Sequence, residues 1–295
     1  MKNCPGGHPI AVDPTFNYQA YEITPVTYGH RLIEAKSKNV TNGWSHALLI
    51  GPTIIHHQKT QDVFHTGLRV IARKTQLSDA KFGVITDGET ALINACKRNF
   101  GKSVDLRCTN RFKENCKTFL KSIGITGDIK QAPLLDIVFG KEGLVEADNK
   151  TDFTRRLEGE EEVIRITEQQ LQEDTNCESP SFYDLKKKNK SVLRKLTKDR
   201  RLEGGVALDR NGNPCRVYTN QSETSNSVLA ARKQSLGYSK KDDMSKSNFF
   251  IRNVWQSVVN EQEEEIQRAL HGQSERFRLK EEARYLEVST ETWYN

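Results

Sequence analysis

Acidic side chains that follow short apolar segments are the residues of this sequence best suited to chemistry. Residues 82–85 form an apolar run that stops at Thr86, Asp87 and Gly88, and apolar residues then recur at helical spacing over residues 91–95. This pattern predicts a buried strand that delivers Asp87 to a sharp turn, followed at once by an amphipathic helix. Ligands of α/β sheets usually bind at the carboxyl ends of such strands. The alternative is that Asp87 only caps the following helix.

Two further acidic residues occupy comparable positions. A short apolar run ends at Asp13, close to the start of the sequence. Glu223 follows the short apolar stretch of residues 216–218 and lies in the first turn of a helix predicted over residues 222–236. On such a helix, Glu223 and Asn226 share one face. The alternative for Glu223 is a carboxylate that only complements the helix dipole.

Three short strands are predicted near the N-terminus. They cover residues 8–13, 21–24 and 47–50, and turn-forming residues separate them. Short links without room for crossover helices predict an antiparallel meander. Pro25 and the Gly-Pro pair at positions 51–52 are predicted to end the second and third strands.

A helix follows these strands and precedes the strand that carries Asp87. Residues 59–71 contain apolar residues at helical spacing, which predicts this helix. Three strands, a helix, a strand and a helix, in this order, are the layout of a ribonuclease-H-like domain. The predicted fold class is therefore α/β: a ribonuclease-H-like fold with a mixed sheet, helices on both faces and a helical insertion before the third acidic residue, Glu223.

Several segments, taken in chain order, carry a resemblance to a known family. They are Asp13-Pro14-Thr15-Phe16-Asn17, residues 51–60, Thr86-Asp87-Gly88-Glu89-Thr90-Ala91-Leu92, Leu106-Arg107-Cys108 with Phe112 and Asn115, and residues 219–226. This ordered set covers most of residues 8–236 and resembles the Mutator-like element (MULE) transposases.

The resemblance implies a catalytic triad of two aspartates and one glutamate. Cutting or joining a phosphodiester requires charge stabilisation on the entering and leaving oxygens, which two divalent ions held by carboxylate oxygens can supply. In the family pattern, Asp13 would bridge two Mg²⁺ (or Mn²⁺) ions, and Asp87 and Glu223 would each complete the site of one ion. The implied activity is cleavage of DNA at an element end followed by strand transfer, the chemistry of DNA transposition and recombination.

The sequence departs from the family pattern just after the second acidic residue. Cys108 matches the first member of a Cys-x-x-His pair, but Arg111 stands in the position of the histidine. The guanidinium of Arg111 is suited to phosphate contact. Cys108, Arg111 and Asn226 are the predicted supporting residues of the site.

Full-length relatives carry zinc modules that are not recognisable in this sequence. The expectation is therefore a catalytic-domain fragment, or a degenerate or domesticated copy. A non-catalytic DNA-binding or regulatory protein derived from a transposase is the alternative function. A fragment without function is a third alternative.

The long interval between the second and third acidic residues predicts further domains. A core over residues 1–125 is followed by a mainly helical, charged insertion over residues 126–215. Residues 216–240 are predicted to contain the helix with Glu223, and residues 241–295 a helical tail. The tail is predicted as an amphipathic helix that ends at Gly272 and a second charged helix from about residue 274 to 287.

A basic run within the insertion is the predicted DNA-binding surface. Residues 183–201 combine lysines and arginines with interspersed leucines, which predicts helix with one basic face. The alternative is a basic helix face that is merely solvated. The candidate DNA-binding residues are Lys186, Lys187, Lys188, Lys190, Arg194 and Lys195.

Composition and charge limit the remaining function classes. The net charge of +6 and a pI of about 8.9 fit a polyanionic partner such as DNA. The sequence shows no apolar run of about 18 residues and no signal-peptide pattern, so neither a membrane span nor secretion is predicted. Six cysteines without paired short spacings favour a reducing compartment. An intracellular, nuclear protein is predicted, with residues 200–201 as part of an import patch.

Two further expectations concern assembly and histidines. A homo-oligomer is expected because transposases commonly act as multimers. His56, His57 and His65 have no cysteine at a zinc-site spacing, so the adjacent pair of histidines is predicted to be surface structure rather than a metal site.

Overall fold

The chain folds into two units. The computed structural model describes residues 9–14, 16–18, 21–36, 43–171, 181–206, 208, 212–217, 253 and 255–281. Unit 1 comprises Met1–Ser103 with Thr219–Asn295, and unit 2 comprises Val104–Tyr218. Unit 2 therefore begins before residue 126, where the sequence places the start of the insertion. The predicted helix with Glu223 lies outside the described residues.

Strands predominate in the first part of the described chain and helices in the second. The strands are β1 (Ile10–Val12), β2 (Phe16–Tyr18), β3 (Tyr21–Lys36), β4 (Trp44–His56), β5 (Gly83–Thr86), β6 (Val104–Arg107) and β7 (Phe277–Leu279). The helices are α1 (Gln61–Thr75), α2 (Thr90–Asn99), α3 (Thr109–Ser122), α4 (Asp128–Phe139), α5 (Lys150–Gly159), α6 (Glu161–Leu171), α7 (Phe182–Lys188), α8 (Lys190–Arg194), α9 (Lys198–Glu203) and α10 (Gln256–Leu270).

The sheet of unit 1 is built on the long strand β3. β4 runs antiparallel along one edge of β3, while β2, β1 and β7 pair antiparallel with successive parts of the other edge. β5 pairs in parallel with β1. The predicted α/β class with a mixed sheet is therefore confirmed, as is the antiparallel order β1-β3-β4.

The predicted ends of the second and third strands are wrong. β3 continues through Pro25, and β4 continues through Gly51 and Pro52. Pro25 pairs with Thr53 and Thr27 with Ile50, so two residues of β4 oppose one residue of β3. A β-bulge of this kind lets a strand accommodate an extra residue without ending.

Glycine is required at this bulge by a close approach of the backbone. A Cβ added at Gly51 would lie 3.0 Å from the carbonyl oxygen of Val26 and 3.4 Å from the ring of Tyr28. The Gly-Pro pair therefore marks a bend within β4 rather than a loop.

One face of the sheet packs against α1 and α2. Ile10 and Val12 of β1 and Val84 of β5 share a core with both helices. The helix residues in this core are Phe64, Leu68, Ile71, Ala72, Leu92, Ala95 and Cys96. The helical stripe predicted for residues 59–71 is therefore the buried face of α1, which begins after its capping residue Thr60.

The C-terminal part of unit 1 contains a helix and a strand. α10 lies within the predicted amphipathic helix, and Gly272, with a φ of 70°, follows its end as predicted. The second predicted helix is wrong, because β7 forms where that helix was expected to begin. β7 pairs with residues 33–35 of β3, and Arg278 of β7 bonds Glu34 and stacks on the ring of Trp44.

Unit 2 is helical apart from β6 and an isolated bridge between Leu208 and Pro214, within its described residues. Its core is formed mainly by α3 to α8 and includes Phe112, Leu134, Phe153 and further side chains. Among the described helices of both units, none has the length and apolar composition needed to cross a lipid bilayer.

Packing of α1 on β4 predicts the effect of adding one methyl group. A Cβ at Gly67 would lie 2.8 Å from Cδ1 and Cγ2 of Ile54, so Gly67→Ala forces a shift in the core. Overpacking at three contacts this short costs about 2–3 kcal/mol, the upper part of the usual range, and alanine regains about 1 kcal/mol of helix propensity. We expect a net loss of about 1–2 kcal/mol in the free energy of unfolding of unit 1.

Urea unfolding followed by tryptophan fluorescence measures this loss, because the sequence of unit 2 contains no tryptophan. Gly101→Ala is the matched control, since nothing lies within 4 Å of a Cβ at that position. Equal stability of the two variants would contradict the close packing of α1 on β4.

Candidate active site

Parallel pairing of β1 with β5 brings the first two predicted acids to the same edge of the sheet. Val12 is the register partner of Thr86, so Asp13 and Asp87 each come directly after a paired residue. Neighbouring strands lie about 4.8 Å apart. The prediction that these two acids follow adjacent strands is confirmed.

The two acids lie just beyond the core that fixes their strands. Ile10, Val12 and Val84 point into the core beneath α1 and α2, and β1 and β5 end one residue before Asp13 and Asp87. Asp13 is completely buried at 0 % exposure, while Asp87 is half-buried.

The carboxylate of Asp87 stabilises the turn that precedes α2. Its Oδ1 accepts a hydrogen bond from the backbone amide of Glu89 at 3.0 Å. Gly88, between them, has a φ of 103°, a conformation that favours glycine. Glu89 is the N-terminal capping residue of α2, and Asp87 accepts its hydrogen bond from the amide of Glu89 itself. Asp87 therefore orders the turn before α2 and does not cap the amides in the first turn of the helix.

Glu89 is an acid that the predicted site did not include. Burial raises the pKa of its carboxyl, the charges of Asp87 and Glu22 raise it further, and Lys59 lowers it. Two more charged side chains, Glu22 from β3 and Lys59 from the turn before α1, therefore lie within electrostatic reach. No motif in the sequence marks Glu22, and only the pairing of β3 could have identified it.

A buried histidine connects these groups. Glu22 is the register partner of His56, and its Oε2 lies 3.7 Å from Nδ1 of that ring. Nδ1 also lies 3.0 Å from the carbonyl oxygen of Gln58, and Nε2 lies 2.8 Å from the hydroxyl of Thr24. A neutral ring with its proton on Nδ1 satisfies this arrangement: it donates to Gln58 and accepts from Thr24.

The interpretation of the histidine pair as surface structure is wrong for one of its members. His57 is exposed, but His56 is buried and packs edge-on against the ring of Phe64. Alternation along β4 explains the difference, because successive side chains point to opposite faces of a sheet. His56 follows Ile54 on the face covered by α1.

The third predicted acid is not part of the described geometry. Glu223 and Asn226 lie outside the described residues. Within the described part of the chain, no group of three or more His, Cys, Asp or Glu side chains is arranged to hold a metal ion.

The other predicted supporting residues lie at the start of α3 in unit 2. Cys108 is buried and is the capping position of the helix, without a side-chain capping bond. The amide of Thr109 donates to the carbonyl of Val217 at 2.8 Å. Arg111 is exposed, so its guanidinium is accessible to solvent.

The basic run of unit 2 is divided between surface and interior. Lys187, Lys188 and Lys190 are exposed. Arg194 bonds Asp199 through both of its terminal nitrogens, and Lys195 lies 2.7 Å from Asp105. These two basic side chains are thus paired with carboxylates.

Lys186 is a correction to the predicted DNA-binding set. Its side chain is 2 % exposed, and its Nζ lies 3.6 Å from Oε2 of Glu160. Burial lowers the pKa of Lys186 to about 8 and raises the pKa of Glu160. Lys186 therefore lies inside unit 2 on α7 and does not belong to the basic surface.

Comparison with known proteins does not identify a family for this chain. No protein-family model matches the chain, and no curated protein matches it at a significant level. The residues that resemble MULE transposases therefore remain the basis for a family, and that resemblance stays a prediction.

Protonation of His56 predicts a pH dependence of stability. Burial lowers the pKa of His56 from its ordinary value of 6.5. As the pH falls below 6.5, His56 becomes protonated in the unfolded chain while it is still neutral in the folded chain. Protonation therefore favours unfolding, and the stabilisation present above pH 6.5 is lost. We expect unit 1 to unfold more easily at pH 5.5 than at pH 7.5, and His56→Gln to reduce this difference.

Tryptophan-detected urea unfolding at the two pH values provides the measurement. His57→Gln is the control, because it removes the exposed neighbouring histidine. A pH dependence that survives in His56→Gln and disappears in His57→Gln would be the opposite of the expected result.

Lys186 predicts a stability effect confined to unit 2. Lys186→Ala leaves the carboxylate of Glu160 half-buried without its cation, which we expect to destabilise unit 2 by about 3 kcal/mol. The double variant Glu160→Gln with Lys186→Met removes both charges and should restore most of the loss. Lys187→Ala, at the exposed neighbouring position, should change stability by less than about 0.5 kcal/mol.

Urea unfolding followed by far-ultraviolet circular dichroism reports both units, and tryptophan fluorescence reports unit 1 as the internal reference. Equal effects of Lys186→Ala and Lys187→Ala would contradict the burial of Lys186.

Proposed function

We propose that unit 1 is a ribonuclease-H-like domain that cleaves DNA and transfers DNA strands, as a transposase does. The observation that carries the proposal is the register of β1 and β5, which sets Asp13 and Asp87 side by side at one edge of the sheet. Phosphodiester chemistry is the activity best suited to two carboxylates at the carboxyl ends of adjacent parallel strands.

The order of the elements supports the finer fold assignment. β1 is followed by β3 and β4 in an antiparallel arrangement, then by α1, and then by β5 parallel to β1. This order is the one expected for a ribonuclease-H-like fold from the sequence. The mixed sheet with α1 and α2 on one face fits the same proposal.

The donor set fits a hard divalent cation. Asp13 and Asp87 offer carboxylate oxygens, the ligands that Mg²⁺ and Mn²⁺ prefer, and Glu223 would complete the set by the resemblance. A bound cation would supply charge stabilisation at the oxygens of the reacting phosphodiester. Two carboxylates on adjacent strand ends repel one another, and a cation between them offsets that repulsion.

The roles of the described side chains follow from their surroundings. Asp13 is fixed by complete burial at the end of β1. Asp87 accepts a hydrogen bond from the amide of Glu89, so the turn sets the orientation of the Asp87 carboxylate. Acids held in this way are pre-organised, so little ordering is required when a ligand binds.

DNA is the proposed partner. The exposed lysines at positions 187, 188 and 190 of unit 2 supply positive charge suited to backbone phosphates. The net charge of +6 favours the same class of partner. A homo-oligomer remains part of the proposal by analogy with transposases.

The second candidate function is a non-catalytic DNA-binding or regulatory protein derived from a transposase. The specific observation in its favour is Arg111, an exposed cation on α3 at the position where the family has a histidine. A protein of this kind would bind DNA without nicking it and would not depend on divalent cations.

Metal linkage is the experiment that tests the proposed function. Millimolar Mg²⁺ or Mn²⁺ should stabilise unit 1 by about 1–3 kcal/mol, because the cation binds only the folded site. Asp13→Asn should abolish this stabilisation. Metal-dependent nicking of supercoiled plasmid should fall at least about 100-fold in the same variant, equivalent to about 3 kcal/mol of transition-state stabilisation.

Asp79→Asn is the matched control, because Asp79 belongs to unit 1 and its side chain is 91 % exposed. Thermal unfolding followed by tryptophan fluorescence gives the stability readout independently of activity. An unchanged melting temperature in metal, or an equal metal response in Asp13→Asn and the unmodified chain, is the result that rejects a cation site at Asp13.

A further inference from the structure

A lysine beside the candidate active site is held by a turn that is fixed on both sides. Lys59 lies between the end of β4 and the start of α1. The carbonyl of Gln58 accepts a hydrogen bond from buried His56, and the hydroxyl of Thr60 accepts one from the amide of Val63. The backbone at Lys59 is therefore anchored by the residue before it and by the residue after it.

The side chain of Lys59 is also directed. Its Nζ lies 3.6 Å from Oε1 of Glu22, whose other oxygen lies 3.7 Å from Nδ1 of His56. The Lys59 side chain is 38 % exposed, so the ammonium is oriented by Glu22 and still accessible. An exposed lysine normally samples many rotamers, and this pairing reduces the ordering that ligand binding requires.

Lys59 lies at the edge of the sheet where the acids of the site are found. β1 and β4 both run antiparallel to β3, so the turn after β4 emerges at the same edge as Asp13 after β1. Gln61 at the start of α1 accepts a hydrogen bond from Asn94 of α2, the helix that follows Asp87. The negative charges of the site repel the phosphates of an approaching DNA strand, so a cation fixed at its border favours binding of the backbone there.

We propose that Lys59 contacts a backbone phosphate of the DNA strand bound at this site and positions that strand. This inference rests on the proposed function, because it takes DNA as the substrate. Lys59 acts through charge and reads no base, so its contribution is the same for every sequence. Glu22, anchored by His56, orients the ammonium.

Salt-dependent binding tests the contact without requiring catalysis. Affinity for a duplex of about 20 base pairs is measured by fluorescence anisotropy between about 50 and 200 mM NaCl, a range in which phosphate contacts are strongly salt-dependent. Lys59→Gln should weaken binding to all duplex sequences alike and reduce the slope of log K against log salt by about 0.9. Lys59→Arg should keep the slope of the unmodified chain.

Lys102→Gln is the matched control. Lys102 is also an exposed lysine of unit 1 in an ion pair, with its Nζ 4.0 Å from Asp79 and its side chain 67 % exposed. This control removes the same charge at another position, so it should leave the slope nearly unchanged. Tryptophan-detected melting of all variants separates loss of the contact from loss of the fold, and we expect equal melting temperatures.

Equal slopes for Lys59→Gln and Lys102→Gln would overturn the assignment of Lys59, whether or not the unmodified chain nicks DNA. Failure of the unmodified chain to bind duplex DNA would overturn it as well. Failure of the proposed activity is distinguishable, because plasmid nicking in metal is measured separately. If the unmodified chain binds DNA with the expected effect of Lys59→Gln but never nicks it, the proposed activity is rejected while the Lys59 contact is supported.

Discussion

Parallel pairing between β1 and β5 is the interaction on which the candidate active site depends. β1 has only three residues, and its other edge is paired with the middle of β3. With partners on both edges and buried side chains on both faces, β1 holds Asp13 at a fixed height beside Asp87. A slip of one residue in this pairing would move every side chain of β1 to the other face. The register Val12 to Thr86 therefore decides whether the two acids meet.

A second layer of order comes from a neutral, buried histidine. His56 connects Thr24 of β3, Gln58 of the turn before α1 and Phe64 of α1. Its hydrogen bonds satisfy both ring nitrogens in the uncharged form, which suits its lowered pKa. The same ring lies beside the carboxylate of Glu22. Packing of the sheet on α1 and the arrangement of charges at the site are thus coupled through one side chain.

Local pattern was sufficient to predict the elements that carry the first two acids. The apolar runs before Asp13 and Asp87 form β1 and β5, and the stripe of residues 59–71 forms the buried face of α1. Pairing between distant segments could not be predicted in the same way. β4 passes through Gly51 and Pro52 because β3 offers partners on both sides of the bulge. β7 is a strand because the edge of β3 at residues 33–35 accepts it.

Charge patterns in the sequence did not show which charged side chains are buried or which lie near the candidate active site. Lys186 stands in a run of lysines, yet Glu160 and the core of unit 2 bury it. Glu22 and Glu89 were not predicted as site residues, because neither stands out from other glutamates until β3, β4 and the turn before α2 bring them together. Glu223 was predicted as the third acid because its flanking residues resemble the family motif, and it lies outside the described residues.

A crystal structure with Mn²⁺, with diffraction data collected at the manganese absorption edge, decides whether the two aspartates share a cation. We expect an anomalous peak within coordination distance, about 2.2 Å, of carboxylate oxygens from both Asp13 and Asp87. Anomalous density located elsewhere, with these two carboxylates turned away from one another, would contradict this expectation.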